Sequence, residues 1–153
     1  MKLAADVIAC LQGKQLVTAE SLTGGGIGTA LTAVPGSSAV YKGGIISYTN
    51  WVKEIILGVS PETLRVYGAV SLQTAEEMAV GARRLLQADV AVSVTGLAGP
   101  GGDEFGNPVG TVCIGYSSER ESFAVRHHFT GDREAVRRQT IRSALELILD
   151  NHK

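Results

Sequence analysis

What the chain has little of narrows its chemistry before any motif is read. Cysteine occurs only at positions 10 and 113, far apart and outside any Cys-x-x-Cys pair, so neither a disulfide framework nor a cysteine metal site is expected. Both Cys10 and Cys113 fall on apolar stretches and are expected to be buried thiols. Histidine is scarce too. His127 and His128 close a strand, one facing each side of a sheet, and His152 lies in the C-terminal tail. They are too few for a zinc site and poorly placed to activate a serine, and they read as structural or solvated residues. Charge of one sign is not in excess: 14 Lys and Arg against 15 Asp and Glu give a net charge of −1. That excludes a broad electrostatic footprint for nucleic acid or an anionic membrane, while local basic residues leave room for a small anionic ligand. No apolar run approaches the roughly 20 residues of a membrane span. The N-terminus lacks the pattern of a signal peptide, so a cytoplasmic location is expected.

What is present suits one domain, residues 1–153, with 44% hydrophobic and 19% charged residues and enough chain to bury a core of its own. Leu3 to Leu11 has helical spacing and stops near Gly13. Gln15 to Ala19 reads as a first strand and Ile27 to Leu31 as the start of a helix. Pro35-Gly36-Ser37-Ser38 breaks the chain. Gly43 to Thr49 reads as a second strand and Trp51 to Leu57 as a short helix. Ser60-Pro61-Glu62 opens another helix, and Ser71 opens a longer one to about Gln87. Asp89 to Thr95 has almost no polar face, as a strand covered on both sides requires. Val109 to Tyr116 and Ser122 to Phe129 predict an antiparallel hairpin, and Thr130-Gly131-Asp132 caps a final helix to about Asp150. This order predicts a three-layer α/β/α domain with a mixed sheet.

The run Thr18-Ala19-Glu20-Ser21-Leu22-Thr23-Gly24-Gly25-Gly26 concentrates chemistry. It reads as strand, tight turn and helix start, which places the Ser21 hydroxyl beside the amides of Thr23, Gly24 and Gly25, where an anion or oxyanion could sit. The bland alternative is a glycine-rich connection N-capped by Ser21 or Thr23. The order of its glycines matches neither a Walker A loop nor a dinucleotide fingerprint.

A serine nucleophile needs a base, and Lys53 is the candidate. Next to Trp51 and apolar neighbours a lysine loses its proton by desolvation, and neutral lysine activates serine. Tyr48, at the end of the second strand, could relay the proton. The alternative is an exposed lysine and a tyrosine packed at a sheet edge. The loop from Thr95 and Gly96 through Gly99 follows an apolar strand at its carboxyl end, the usual place for a ligand in an open α/β sheet. Arg133 or Arg137, at the start of the last helix, could fork a phosphate or lie solvated.

Taken together, Ala-Glu-Ser-x-Thr-Gly-Gly, Val-Pro-Gly-Ser-Ser, Ser-Tyr-Thr-Asn-x-x-Lys, Gly-Ala-Val-Ser, Thr-Gly-x-Ala-Gly-Pro-Gly-Gly, Pro-Val-Gly-Thr-Val and Gly-Asp-Arg resemble the CinA C-terminal domain family over nearly the whole chain. The resemblance implies an amidohydrolase of the PncC type, converting nicotinamide mononucleotide to nicotinate mononucleotide and ammonia in pyridine nucleotide salvage, with no metal or organic cofactor. It implies Ser21 as nucleophile, Lys53 as general base, Tyr48 as the accompanying tyrosine, and Arg133 and Arg137 near the substrate. The expected partner is that small molecule, with no nucleic acid and no membrane; a homo-oligomer is left open. Leu22 stands where the family often has cysteine, and Asn107 where it often has lysine. Full-length CinA proteins carry an N-terminal molybdopterin-binding-like domain, which has no counterpart in this sequence, so its activity is not carried over. The rival expectation is a non-catalytic nucleotide-binding or protein-interaction module of the competence or damage-inducible type.

Overall fold

Parallel neighbours need a crossover connection, usually a helix, whereas antiparallel neighbours can be joined without one; this chain does the first and then the second. The computed structural model describes residues 2–152. Its elements are α1 (Lys2–Cys10), β1 (Leu16–Glu20), α2 (Gly26–Thr32), β2 (Tyr41–Ile46), α3 (Asn50–Ile55), α4 (Pro61–Tyr67), α5 (Leu72–Leu85), β3 (Val90–Gly96), β4 (Thr111–Ser118), β5 (Ser122–His128) and α6 (Arg133–Asp150). The sheet order is β2-β1-β3-β4-β5. β1 pairs in parallel with both β2 and β3, while β3–β4 and β4–β5 are antiparallel.

The two faces of the central strands feed two cores. Leu16, Val90, Val92 and Val94 point into one core with Val7, Ile27, Leu31, Leu145 and Ile148 of α1, α2 and α6. Val17, Ala19 and Ala91 point to the other side, against Leu64 of α4 and Met78, Ala79 and Ala82 of α5. The polar residues of β3 that face α5 are buried without being orphaned: Ser93 donates to Ala75 O and Thr95 to Ala69 O. α5 lies so close to the sheet that a Cβ at Gly115 would stand 2.2 Å from Ala75 O and 2.4 Å from Ser93 Oγ. Among the described residues no helix is long and apolar enough to cross a membrane.

The expected elements are present, with shifted bounds that have physical causes. β2 begins at Tyr41 and ends at Ile46, so Tyr48 and Thr49 are off the strand, and Thr49 Oγ1 caps α3 by accepting from Val52 N. β4 starts only at Thr111, because Gly110 takes a positive φ of 94°. Neither Ser21 nor Thr23 caps α2; the cap is Gly25, at φ 97° and without a side-chain bond. Cys113 is buried as expected, but Cys10 is exposed, since the last residue of α1 turns away from the core and its thiol donates to His152 O. Replacing Gly115 by alanine should force α5 off the sheet and cost about 1–3 kcal/mol. The check is a lower urea midpoint at unchanged m-value; an unaltered midpoint would mean that α5 is not held this tightly.

Candidate active site

The order β2-β1-β3 makes the chain leave β1 toward one side of the sheet and return on the other, which opens a crevice at the carboxyl ends of these strands. Three consequences of local sequence meet there. β1 ends in Glu20 and delivers Ser21, β3 ends in Thr95 and Gly96, and the chain leaving β2 turns into α3, which carries Lys53. They line one cavity of about 290 Å³, together with Tyr48, Asn50, Gly99 and Arg133.

Lys53 is 2% exposed and is the only residue of α3 that is buried. Its Nζ donates to Ser47 O at 2.7 Å and lies 3.2 Å from Ser21 Oγ. No carboxylate lies within ion-pair distance of it among the described residues. Burial without a counter-charge penalises the ammonium, and the pKa falls from 10.5 to about 8. With one N–H directed at the Ser47 carbonyl, the neutral amine can turn its lone pair to the Ser21 hydroxyl. This arrangement can take a proton from a serine near neutral pH.

The serine turn is gripped from two sides. Glu20, 2% exposed, is a residue that sequence reasoning quoted but gave no role. Its carboxylate accepts from Thr23 Oγ1 at 2.7 Å, Ile27 N at 2.8 Å, Gly28 N at 3.0 Å and Thr18 Oγ1 at 3.3 Å. The first amides of α2 therefore already hold the protein's own anion, which corrects the expectation that they receive a ligand. Gly24 N donates to Ser21 O, so its amide too is engaged within the turn. Thr23, Gly24 and Gly25 shape the turn and do not line the cavity. Arg137 is also corrected: its Nε donates to Leu22 O at 3.0 Å and its second guanidine nitrogen to Thr23 O at 3.2 Å. It braces the turn from α6 and stays out of the cavity.

Arg133 does face the cavity, where it donates to Gly99 O at 2.7 Å and to Tyr48 Oη at 3.2 Å. Tyr48 is 58% exposed and bonds to Arg133, to neither Ser21 nor Lys53. The relay expected of it is replaced by a place at the cavity mouth, because β2 stops two residues earlier. The histidines stay away from the cavity: His127 stacks on Phe129, and His152 bonds to Tyr116. Asn107 ties down the glycine loop through Asp103 and Val70 O, and Leu22 lines the cavity.

Comparison with known proteins agrees with this fold. The profile of the CinA C-terminal domain matches residues 1–152. The chain belongs to that family. A CinA-like protein of Thermotoga neapolitana is 45% identical over 133 residues, 87% of this chain and 32% of the relative. A putative competence-damage inducible protein of Thermoanaerobacter is 42% identical over 144 residues, 93% of this chain and 35% of the relative. The chain thus spans about a third of the length of such relatives. The crystal structure of a CinA superfamily protein from Klebsiella pneumoniae superposes with a TM-score of 0.95 at 38% identity, covering 98% of this chain and 95% of that one. The competence or damage-inducible protein of Enterobacter asburiae reaches 0.97 at 35% identity, with 99% and 97% covered. The mixed five-stranded α/β fold is the CinA fold.

Sequence reasoning also passed over Ser47 and Asn50 within the CinA motif Ser-Tyr-Thr-Asn-x-x-Lys; a lysine that must be buried needs a carbonyl, and Ser47 supplies it. The lysine leaves a thermodynamic signature. Between about pH 8 and 10.5 the unfolded chain holds one proton more than the folded one, so folded stability rises with pH over that window. Wild type should gain about 3 kcal/mol there relative to Lys53→Met, and at pH 7 the variant should be no less stable than wild type. Denaturation curves of the two proteins across the window check this; parallel stability profiles would show that Lys53 is not desolvated.

Proposed function

We propose that the chain is an amidohydrolase acting on nicotinamide mononucleotide, releasing ammonia and nicotinate mononucleotide by a serine–lysine mechanism. The observation that carries this reading is Lys53 Nζ at 3.2 Å from Ser21 Oγ, inside a cavity with an arginine at its mouth. Ser21 Oγ attacks the carboxamide carbon as Lys53 takes its proton. The amide of Leu22, a residue that lines the cavity beside Ser21, supplies an oxyanion donor worth about 3 kcal/mol. Lys53 returns the proton to the nitrogen, the C–N bond breaks and ammonia leaves. Water, deprotonated by the same amine, then attacks the acyl-enzyme, Ser21 recovers its proton and the carboxylate departs.

The volume supports a ligand of mononucleotide size, and Arg133 supports a 5′-phosphate, since a guanidinium forks two phosphate oxygens. A phosphate displacing Gly99 O and Tyr48 Oη from Arg133 would keep the number of its hydrogen bonds. The cationic pyridinium of such a substrate withdraws electrons from the amide and needs no further activation at the ring.

Ammonia release from nicotinamide mononucleotide should fall about a thousandfold or more in Ser21→Ala and in Lys53→Met, with both variants folded. In wild type, kcat/KM should rise with pH through about 8 as the amine is freed. A folded wild type that releases no ammonia would leave the binding-module reading, and release that persists without Ser21 would discard the nucleophile. The two arginines separate by kinetic signature. Arg133→Ala should raise KM at least about tenfold through loss of phosphate binding, whereas Arg137→Ala should lower kcat with little change in KM, because it braces Ser21 and meets no ligand. The reverse pattern would exchange their roles.

A further inference from the structure

Asn50 opens α3, one turn before Lys53 and on the same side of the helix. It lines the cavity that holds Ser21 and Lys53, and among the described residues its side-chain amide has no hydrogen-bond partner. The other polar side chains of that cavity are engaged. Thr95 Oγ1 donates to Ala69 O, Arg133 donates to Tyr48 Oη, and Ser21 and Lys53 form the reacting pair. Asn50 also lines a neighbouring groove of about 370 Å³, beside Glu54, Arg65 and Glu104. It is the one described residue common to both.

Within the serine–lysine reading, on which this step rests, we propose that Asn50 positions the water that hydrolyses the acyl-enzyme. Once Ser21 Oγ carries the acyl group it has no proton to give, and Lys53 must act on water instead. A water attacking a carbonyl carbon turns an oxygen lone pair toward it, so both of its hydrogens need acceptors. The neutral amine of Lys53 takes one. Asn50 Oδ1, an acceptor with no bond of its own, takes the other. The water oxygen bonds the ester carbon as its proton passes to Lys53 Nζ; the tetrahedral oxyanion then expels Ser21 Oγ, which recovers that proton, and the acid departs as its carboxylate. The same residue marks the route. The acyl-enzyme still carries the whole nucleotide, with its phosphate at Arg133, so the water must come from another side. Asn50 stands between the reacting pair and the groove of Glu54 and Glu104, and a water drawn from that groove passes its amide.

Ammonia release from nicotinamide mononucleotide by wild type tests the reading first. The methyl ester of nicotinate mononucleotide then isolates the step, because its leaving group departs more readily than ammonia and makes deacylation the slow half of turnover. Asn50→Leu removes the amide from an exposed position at the start of α3 and should keep the melting temperature of wild type. On the ester, the variant should release a burst of about one methanol per chain and then turn over about a hundredfold more slowly than wild type. Its kcat and KM should fall together while kcat/KM holds, since acylation is untouched, and intact-protein mass during turnover should show the acyl-enzyme. A wild type that releases no ammonia and hydrolyses no ester removes the reading, and this step with it. With an active wild type, an Asn50→Leu enzyme of unchanged kcat on the ester, or one whose kcat/KM falls without a burst, overturns the role of Asn50 and leaves the serine and lysine standing.

Discussion

A lysine buried without a counter-charge is the constraint on which the rest of this structure depends. Taking an ammonium out of water costs several kcal/mol unless it is paired, and a domain of this size has a net stability of only about 5–15 kcal/mol. The fold meets that cost by lowering the pKa of the group to about 8, so that near neutrality a modest fraction of the chain already carries the amine. Pairing Lys53 with a carboxylate would have stabilised the fold more and ruined the base. The carboxylate nearest in sequence to Ser21, that of Glu20, is instead spent on four donors in its own strand, the turn and the start of α2. The lysine is left to the neutral carbonyl of Ser47 and the serine hydroxyl.

That division of labour explains why the serine turn has its particular shape. A strand running into a helix presents a cluster of amides to whatever lies in front of it, and an external anion could occupy them. Here Glu20 occupies them from beneath, and Arg137 takes the carbonyls of Leu22 and Thr23 from above. The turn is thus held in one shape from both sides before a ligand arrives, which is the form of preorganisation that favours a transition state over a substrate. The helix dipole of α2 is spent on rigidity, and charge recognition passes to Arg133 at the opposite wall of the cavity.

Much of this was legible in the sequence, and what was not has a common cause. The strands with continuous apolar runs, β1 and β3, were placed to within a residue or so, because burial on both faces leaves no alternation to misread. The caps at Ser71 and Asp132 were legible because a side chain bonding its own backbone three residues on is a local event. β2 was read as Gly43 to Thr49 and runs from Tyr41 to Ile46, with its Gly43-Gly44 pair inside the strand in both. The pair is needed where it lies, since a Cβ at Gly44 would stand 2.2 Å from Thr18 Oγ1. Ser21 and Lys53 were legible as reactive types near a turn and an apolar neighbourhood. Their mutual distance was not, nor was the assignment of Arg133 to the cavity and Arg137 to the turn. One helical turn separates those two, and only the packing of α6 decides which of them meets the ligand. Glu20 was quoted without a role because a buried acid looks like any other acid until its donors are known.

The placement of α3 joins the chemistry to the surface. Lys53 reaches Ser21 only because the chain, on leaving an edge strand, folds back over the carboxyl ends of the sheet, and a six-residue helix there has no second layer of protein above it. Its inward face is fixed by the need to deliver an amine. The sequence then has a free choice only on the outward face, where polar residues would be the default for a helix in water. This chain places Trp51, Ile55 and Ile56 there instead. None of the three belongs to either core, so the inward face of α3 is set by the chemistry of the site and its outward face by neither core.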